Sequence, residues 1–167
     1  MNRRTWLGAM AALGAGTLGL VSKAARAAEN KLGLSQKEWL KRINGDQYYI
    51  LFEEGTERAG TSPLNNEKRK GKYICAACNQ YLFSSETKYD SGTGWPSFYD
   101  AQDGALGTST DFKLIYPRTE YHCSHCGGHQ GHVFDDGPQP TGKRYCNNGL
   151  ALKFVPEGEE LPPVFNG

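Results

Sequence analysis

Cys123-Ser124-His125-Cys126-Gly127-Gly128-His129-Gln130-Gly131-His132-Val133-Phe134 is the stretch on which the reading of this chain turns. It passes from a C-x-x-C turn, through glycine-punctuated backbone, into the start of a strand. Upstream, Cys75-Ala76-Ala77-Cys78 repeats the pair, and 44 residues lie between the two motifs. Asn79 and Gly127, each following the second cysteine of its pair, suit the tight turns that such knuckles need. Two pairs offer four sulfurs, and four sulfurs about 2.3 Å from a common centre satisfy tetrahedral zinc. Outward from the knuckles the pattern is β-like after Lys72. Thr110, Phe112, Leu114 and Tyr116 alternate with polar residues, as do Leu150, Leu152 and Phe154, so each series should turn one face to a core. Ser35-Gln36-Lys37-Glu38 has the form of a capping box and predicts a short helix running through Trp39, Leu40 and Ile43. Gln47 to Glu53 has no clear period and reads as a second short helix or a strand. Residues 55–71 read as a surface loop and 156–167 as a loose tail. With 21 glycines and 8 prolines the chain favours short strands and turns over long helices. The expected fold class is mainly β, with one or two short N-terminal helices and structural zinc knuckles.

The length of 167 residues suits one domain. Arg3, Arg4, Lys23 and Arg26 all precede the first acidic residue, Glu29, so residues 28–167 carry 15 basic and 18 acidic side chains, a formal −3. A mildly acidic domain without a basic stripe argues against nucleic acid as a partner. Residues 1–27 read as an export signal: Arg3-Arg4 opens it, Trp6 to Val21 is apolar, and Ala25-Arg26-Ala27 resembles a cleavage site. The paired arginines before Trp6-Leu7 resemble a twin-arginine leader. A retained N-terminal anchor is the competing reading. The expected destination is a bacterial periplasm, with the domain at 28–167 free of any stable membrane span once the leader is removed.

Export sets zinc against disulfides, because exported cysteines are normally oxidised. The C-x-x-C spacing favours one structural zinc on Cys75, Cys78, Cys123 and Cys126, and a chain exported already folded would carry its thiolates ligated. Four sulfur ligands leave no open position for substrate. Cys146 is then the odd cysteine, either a small buried hydrophobe or a reactive thiol. Arg144 shares its face if the segment is a strand, and a fixed positive charge there favours the thiolate. Asn148 can donate a hydrogen bond on that face. His122 and His125 read as knuckle surface or spare ligands, whereas His129 and His132, beside a lone cysteine, make proton donation plausible.

Taken together, Ser91-Gly92-Thr93-Gly94-Trp95-Pro96-Ser97-Phe98, Gly128 to Phe134, Gly137-Pro138-Gln139-Pro140-Thr141-Gly142 and Arg144-Tyr145-Cys146-Asn147-Asn148 resemble the B-type methionine-R-sulfoxide reductases over roughly residues 35–156. The resemblance implies two antiparallel sheets forming an open, barrel-like core, with zinc at one end. It implies that Cys146 attacks the sulfoxide sulfur and becomes a sulfenic acid. It casts His129 and His132 as donors to the sulfoxide oxygen, and Trp95 and Phe134 as the pocket for the S-methyl group. Arg144 and Asn148 are then expected to tune and orient the nucleophile. The implied partners are methionine-R-sulfoxide in oxidised proteins and a thioredoxin-like reductant, the enzyme acting as a monomer.

One position departs from the family pattern. Many members carry a resolving cysteine where this chain has Thr93, so the sulfenic acid should be reduced directly by an external thiol. Both methionines, Met1 and Met10, lie in the leader segment, which spares the domain from being its own substrate. Two other functions compete: a zinc-knuckle binding module, and a peroxide-reducing thiol enzyme using Cys146 with the same histidines.

Overall fold

The capping box at Ser35 forms as its spacing predicts. In the computed structural model, which describes residues 30–112 and 116–167, the Ser35 hydroxyl accepts from the Glu38 N–H and the Glu38 carboxylate accepts from the Ser35 N–H. The helix it opens, α1 (Gln36–Trp39), is a single turn, and Ile43 follows in a hydrogen-bonded turn closed on the Trp39 carbonyl. A second reciprocal box decides the ambiguous segment after it. Asn44 Oδ1 accepts from Gln47 N at 2.8 Å while Gln47 Oε1 accepts from Asn44 N at 3.2 Å, and α2 (Gly45–Phe52) results. It buries Ile50, Leu51 and Phe52, and Trp39 stacks on Phe52 with ring centroids 4.6 Å apart.

Nine strands follow among the described residues: β1 (Gly71–Cys75), β2 (Tyr81–Ser84), β3 (Lys88–Tyr89), β4 (Ser97–Phe98), β5 (Leu106–Asp111), β6 (Arg118–Cys123), β7 (His129–Phe134), β8 (Arg144–Asn147) and β9 (Leu152–Pro156). They form two antiparallel sheets, one in the order β2-β1-β9 and one in the order β3-β4-β8-β7-β6-β5. The core is aromatic. Phe83 of the small sheet stacks on Phe98 of the large one at 4.3 Å, and Tyr73 meets Phe98 at 4.9 Å, so the two sheets are joined through ring contacts. The mainly β, two-sheet architecture agrees with the expectation.

Four local expectations need correction. Phe112 and Tyr116 are 75% and 63% exposed, because β5 ends at Asp111 and the pleat that would aim them inward ends with it. Leu114, the third member of that series, lies outside the described residues, as does the expected export segment, residues 1–27. Leu150 belongs to a 3-10 turn, Gly149–Ala151, and only Leu152 and Phe154 sit on a strand. Residues 55–71 are irregular, but Glu57 and Ser62 are buried, since the Glu57 carboxylate accepts from Leu150 N and its N–H donates to Asn148 Oδ1. The tail is strapped down: Phe165 N donates to the Cys78 carbonyl, Asn79 Nδ2 donates to the Pro163 carbonyl, and Arg42 lies 3.5 Å over the Phe165 ring. No helix among the described residues is long and apolar enough to cross a membrane.

Candidate active site

Three neighbouring strands of the large sheet assemble the site. In register, Cys146 of β8 faces Ser97 of β4 on one side and His132 of β7 on the other. Gly131 makes this pairing possible, because a Cβ there would come within 1.9 Å of the Cys146 carbonyl oxygen. Cys146 opens onto a cleft of about 170 Å³, whose walls are Trp95 and Phe134 on the apolar side and Thr56, Thr93, Arg118 and His132 on the polar side. Arg144, Asn147 and Asn148 complete the lining. A larger depression of about 320 Å³, around Lys70, Tyr81 and Glu157, has neither cysteine nor histidine in its lining.

The indole of Trp95 is pinned by its polar edge, Nε1 donating to the Glu57 carbonyl at 2.8 Å, which leaves its apolar ring for the cleft. The buried segment around Glu57 therefore forms the second wall of the site. Asn148, expected to orient the nucleophile, is committed elsewhere: its Oδ1 accepts from Glu57 N and its Nδ2 donates to the Gln130 carbonyl at 3.0 Å. It ties the loop at 57 to β7.

Burial pushes the Cys146 thiol above its ordinary range, and this outweighs the hydrogen bond from Thr93 and the nearby charge of Arg144, both of which favour the thiolate. The expectation that Arg144 yields a thiolate is thus right in sign but overridden by burial. Arg144 is also partly neutralised, since its guanidinium makes a two-point ion pair with Asp136 at 2.7 and 2.8 Å while lying 4.2 Å over the Phe134 ring. Burial thus favours the neutral thiol at Cys146.

His132 Nε2 donates to Asp111 Oδ2 at 2.7 Å, an oxygen that also accepts from Arg118 at 2.7 Å. Burial lowers the His132 pKa, against the opposing pull of Asp111. Burial thus favours the uncharged ring, while the Asp111 carboxylate beside Nε2 favours the charged one. His129 stands differently. It is 2% exposed, it is not among the residues lining the cleft, and its ring centre is 5.6 Å from that of His132. Its Nδ1 donates to Glu120 Oε1 at 2.8 Å. Burial opposes the charge on Glu120, but hydrogen bonds from His122, His129 and Ser109 hold the carboxyl down to about 2.

Sequence reading missed Asp111, Arg118, Thr56 and Asn147. The cross-strand pair Asp111↔Arg118 could have been found only by knowing the β5–β6 register.

The Sγ atoms of Cys75, Cys78, Cys123 and Cys126 all lie within 4.8 Å of one another. Cys75 to Cys126 is 3.7 Å and Cys78 to Cys123 is 3.6 Å, against about 3.8 Å for the edge of a tetrahedron with metal–sulfur bonds of about 2.3 Å. The Gly128 N–H and the Gln130 side-chain amide point at Cys126 and Cys75 sulfurs, as donors to ligated thiolates do. The four residues fit a zinc ion. His122 and His125 stay outside this set, bound to Glu120 and to the Phe165 carbonyl. Gln130 also accepts from Asn147 Nδ2, and Asn147 Oδ1 accepts from the Tyr121 hydroxyl, so a buried polar chain runs from the cluster to the cleft wall.

Comparison with known proteins agrees with this geometry. The SelR domain family matches residues 43–156. The chain is 52% identical over 124 residues to peptide methionine sulfoxide reductase MsrB of Leptospira interrogans, covering 74% of this chain and 95% of that protein. It is 53% identical over 122 residues to peptide methionine sulfoxide reductase B1, chloroplastic, of Arabidopsis thaliana, covering 72% of this chain and 60% of that one. Methionine-R-sulfoxide reductase B3, mitochondrial, of Mus musculus is 46% identical over 140 residues, or 83% of this chain and 55% of its own length. With a lone cysteine facing an Asp-held histidine across an aromatic-walled cleft, and a four-cysteine cluster behind it, the chain belongs to the MsrB-type methionine-R-sulfoxide reductase family.

Proposed function

We propose that this protein is a peptide-methionine (R)-S-oxide reductase in which Cys146 is the nucleophile and His132 moves the proton. The observation that carries this reading is the register pair His132↔Cys146, which sets the one cysteine outside the four-cysteine cluster beside an Asp111-held imidazole on one cleft. The substrate's S-methyl group lies against Trp95 and Phe134, and its oxygen points toward His132. The Cys146 thiol gives its proton to His132 Nδ1 as the sulfur attacks the sulfoxide sulfur, and the imidazolium passes that proton to the oxygen. The oxygen, with that proton, ends on Cys146 as a sulfenic acid, and methionine leaves reduced by two electrons. Methyl on the apolar wall, oxygen on the donor wall and Cys146 approaching the sulfur make three contacts around a pyramidal centre, which supports selection of one epimer, the R form in this family.

Asp111 stabilises the transient imidazolium, Arg144 favours the developing thiolate, Asn148 fixes the loop that carries Glu57, and His129 packs behind His132 and anchors Glu120. Zinc on Cys75, Cys78, Cys123 and Cys126 supplies a structural cross-link between the β1–β2 and β6–β7 turns. A second thiol must remove the sulfenic oxygen as water, and with Thr93 in place of a resolving cysteine that thiol comes from outside, from a thioredoxin-like dithiol. The leader at residues 1–27 directs a folded, zinc-loaded monomer to the periplasm, which Arg3-Arg4 and Ala25-Arg26-Ala27 support.

The test is turnover of protein-bound and free methionine sulfoxide with dithiothreitol by wild type and Cys146→Ser. The wild type is expected to form methionine and the variant none. Methionine formed by the variant at the wild-type rate would overturn the assignment of the nucleophile.

A further inference from the structure

The residue at the resolving position does more than leave a thiol out. Thr93 Oγ1 stands 3.9 Å from Cys146 Sγ, within reach of a hydrogen bond to sulfur. Behind it the Ser91 hydroxyl is 2.8 Å from Thr93 Oγ1 and 2.7 Å from Ser97 Oγ, and the Ser97 hydroxyl donates to the Trp95 carbonyl at 3.1 Å. Ser97 is fully buried and pairs in register with Cys146, so the far end of this chain is fixed in the sheet. The near end is fixed by the turn that carries Thr93. Gly94 adopts φ +91°, a Cβ there would meet the Gly60 nitrogen at 2.9 Å, and its carbonyl accepts from Gly60 N and Asn65 Nδ2.

Each hydroxyl has one proton to give and lone pairs to accept with, so three in a row must order their protons in one direction. With Cys146 as a thiol, protons point from sulfur to Thr93, to Ser91, to Ser97 and to the Trp95 carbonyl. When sulfur becomes anionic the order reverses: Ser97 donates to Ser91, Ser91 to Thr93, and Thr93 to sulfur. Reversal needs three hydroxyl rotations and no movement of heavy atoms.

Resting on the assignment of Cys146 as nucleophile, we propose that Thr93, backed by Ser91 and Ser97, is a positioning residue whose hydroxyl donates to the Cys146 sulfur as it gains negative charge in attack. It makes up for part of what burial withdraws from the thiolate.

The experiment compares wild type, Thr93→Val, Thr93→Ser and Ser91→Ala by the pH dependence of Cys146 alkylation with iodoacetamide, followed by intact mass, alongside kcat for methionine-R-sulfoxide. Thr93→Val keeps the branched shape and removes only the hydroxyl. Its alkylation midpoint should move upward and its rate at pH 8 fall about tenfold, the scale of one hydrogen bond to a charged group. Thr93→Ser should restore both, and Ser91→Ala should fall between. Superimposable profiles for wild type and Thr93→Val would overturn the proposal, and so would a loss that Thr93→Ser fails to rescue, because that loss would come from packing. A wild type that alkylates as described but reduces no sulfoxide would overturn the functional assignment instead, leaving the alkylation profiles to decide the role of Thr93.

Discussion

Burial favours the uncharged form of both Cys146 and His132, pushing the thiol up and pulling the ring down. This pairing conserves protons, since thiol plus sulfoxide gives sulfenic acid plus sulfide with nothing left over. The substrate-free enzyme should therefore alkylate slowly at pH 7 and accelerate with rising pH to beyond the ordinary thiol range. A plateau already reached below pH 7 would contradict the burial argument. His132→Asn removes the proton carrier and should lower kcat by about 10² to 10⁴-fold while leaving the fold intact by circular dichroism. Asp111→Asn keeps the contact but loses the charge, so kcat should fall by a smaller factor, with KM little changed. At this scale much was legible in the sequence. Cys146, Trp95 and His132, singled out in the sequence, line one cleft, and the four paired cysteines gather in one cluster. Arg144 and Asn148 were harder to read, because what decides their action is Asp136, Glu57 and Gln130, partners whose proximity depends on strand register and loop path.

Strand β6 serves the site both through Arg118, which lines the cleft, and from behind it. Glu120 gathers His122, His129 and Ser109 around one carboxylate and so fixes β5, β6 and β7 together beneath His132. Its carboxyl is depressed from 4.5 to about 2 in the folded protein. A depressed carboxyl contributes stability that is present above its unfolded value and is lost as pH falls through the folded one. Glu120→Gln should thus cost about 1–3 kcal/mol at pH 7, read by urea unfolding, and the gap from wild type should shrink as pH drops from 4.5 toward 2. A constant gap across that range would show that its packing matters and its charge does not. The same element scale explains one misreading and one reading left open. The Phe112 and Tyr116 alternation looked like a strand face because periodicity alone cannot show where hydrogen bonding stops, and α2 was ambiguous until Asn44 and Gln47 were seen to cap each other.

In the whole molecule, the tail closes over the first helix and the cysteine cluster. Phe165 contacts Trp39 at 6.0 Å, sits under Arg42, and hydrogen-bonds through its backbone to Cys78 and His125. Composition made this tail look loose, since prolines and acidic residues dominate it, yet one aromatic ring and two backbone bonds suffice to hold it. Removing residues 162–167 should lower stability by about 2–4 kcal/mol in urea unfolding and speed zinc loss to a chelator. An unchanged midpoint would mean that the strap does not bear on the fold. The measurement that bears most directly on the central claim is a single turnover without reductant, using racemic methionine sulfoxide, with each epimer and the intact protein mass followed together. The account predicts loss of the R epimer alone, one methionine per protein, and one added oxygen on Cys146 that dimedone traps. Consumption of the S epimer, or oxidation at a cluster cysteine with Cys146 unmodified, would contradict it.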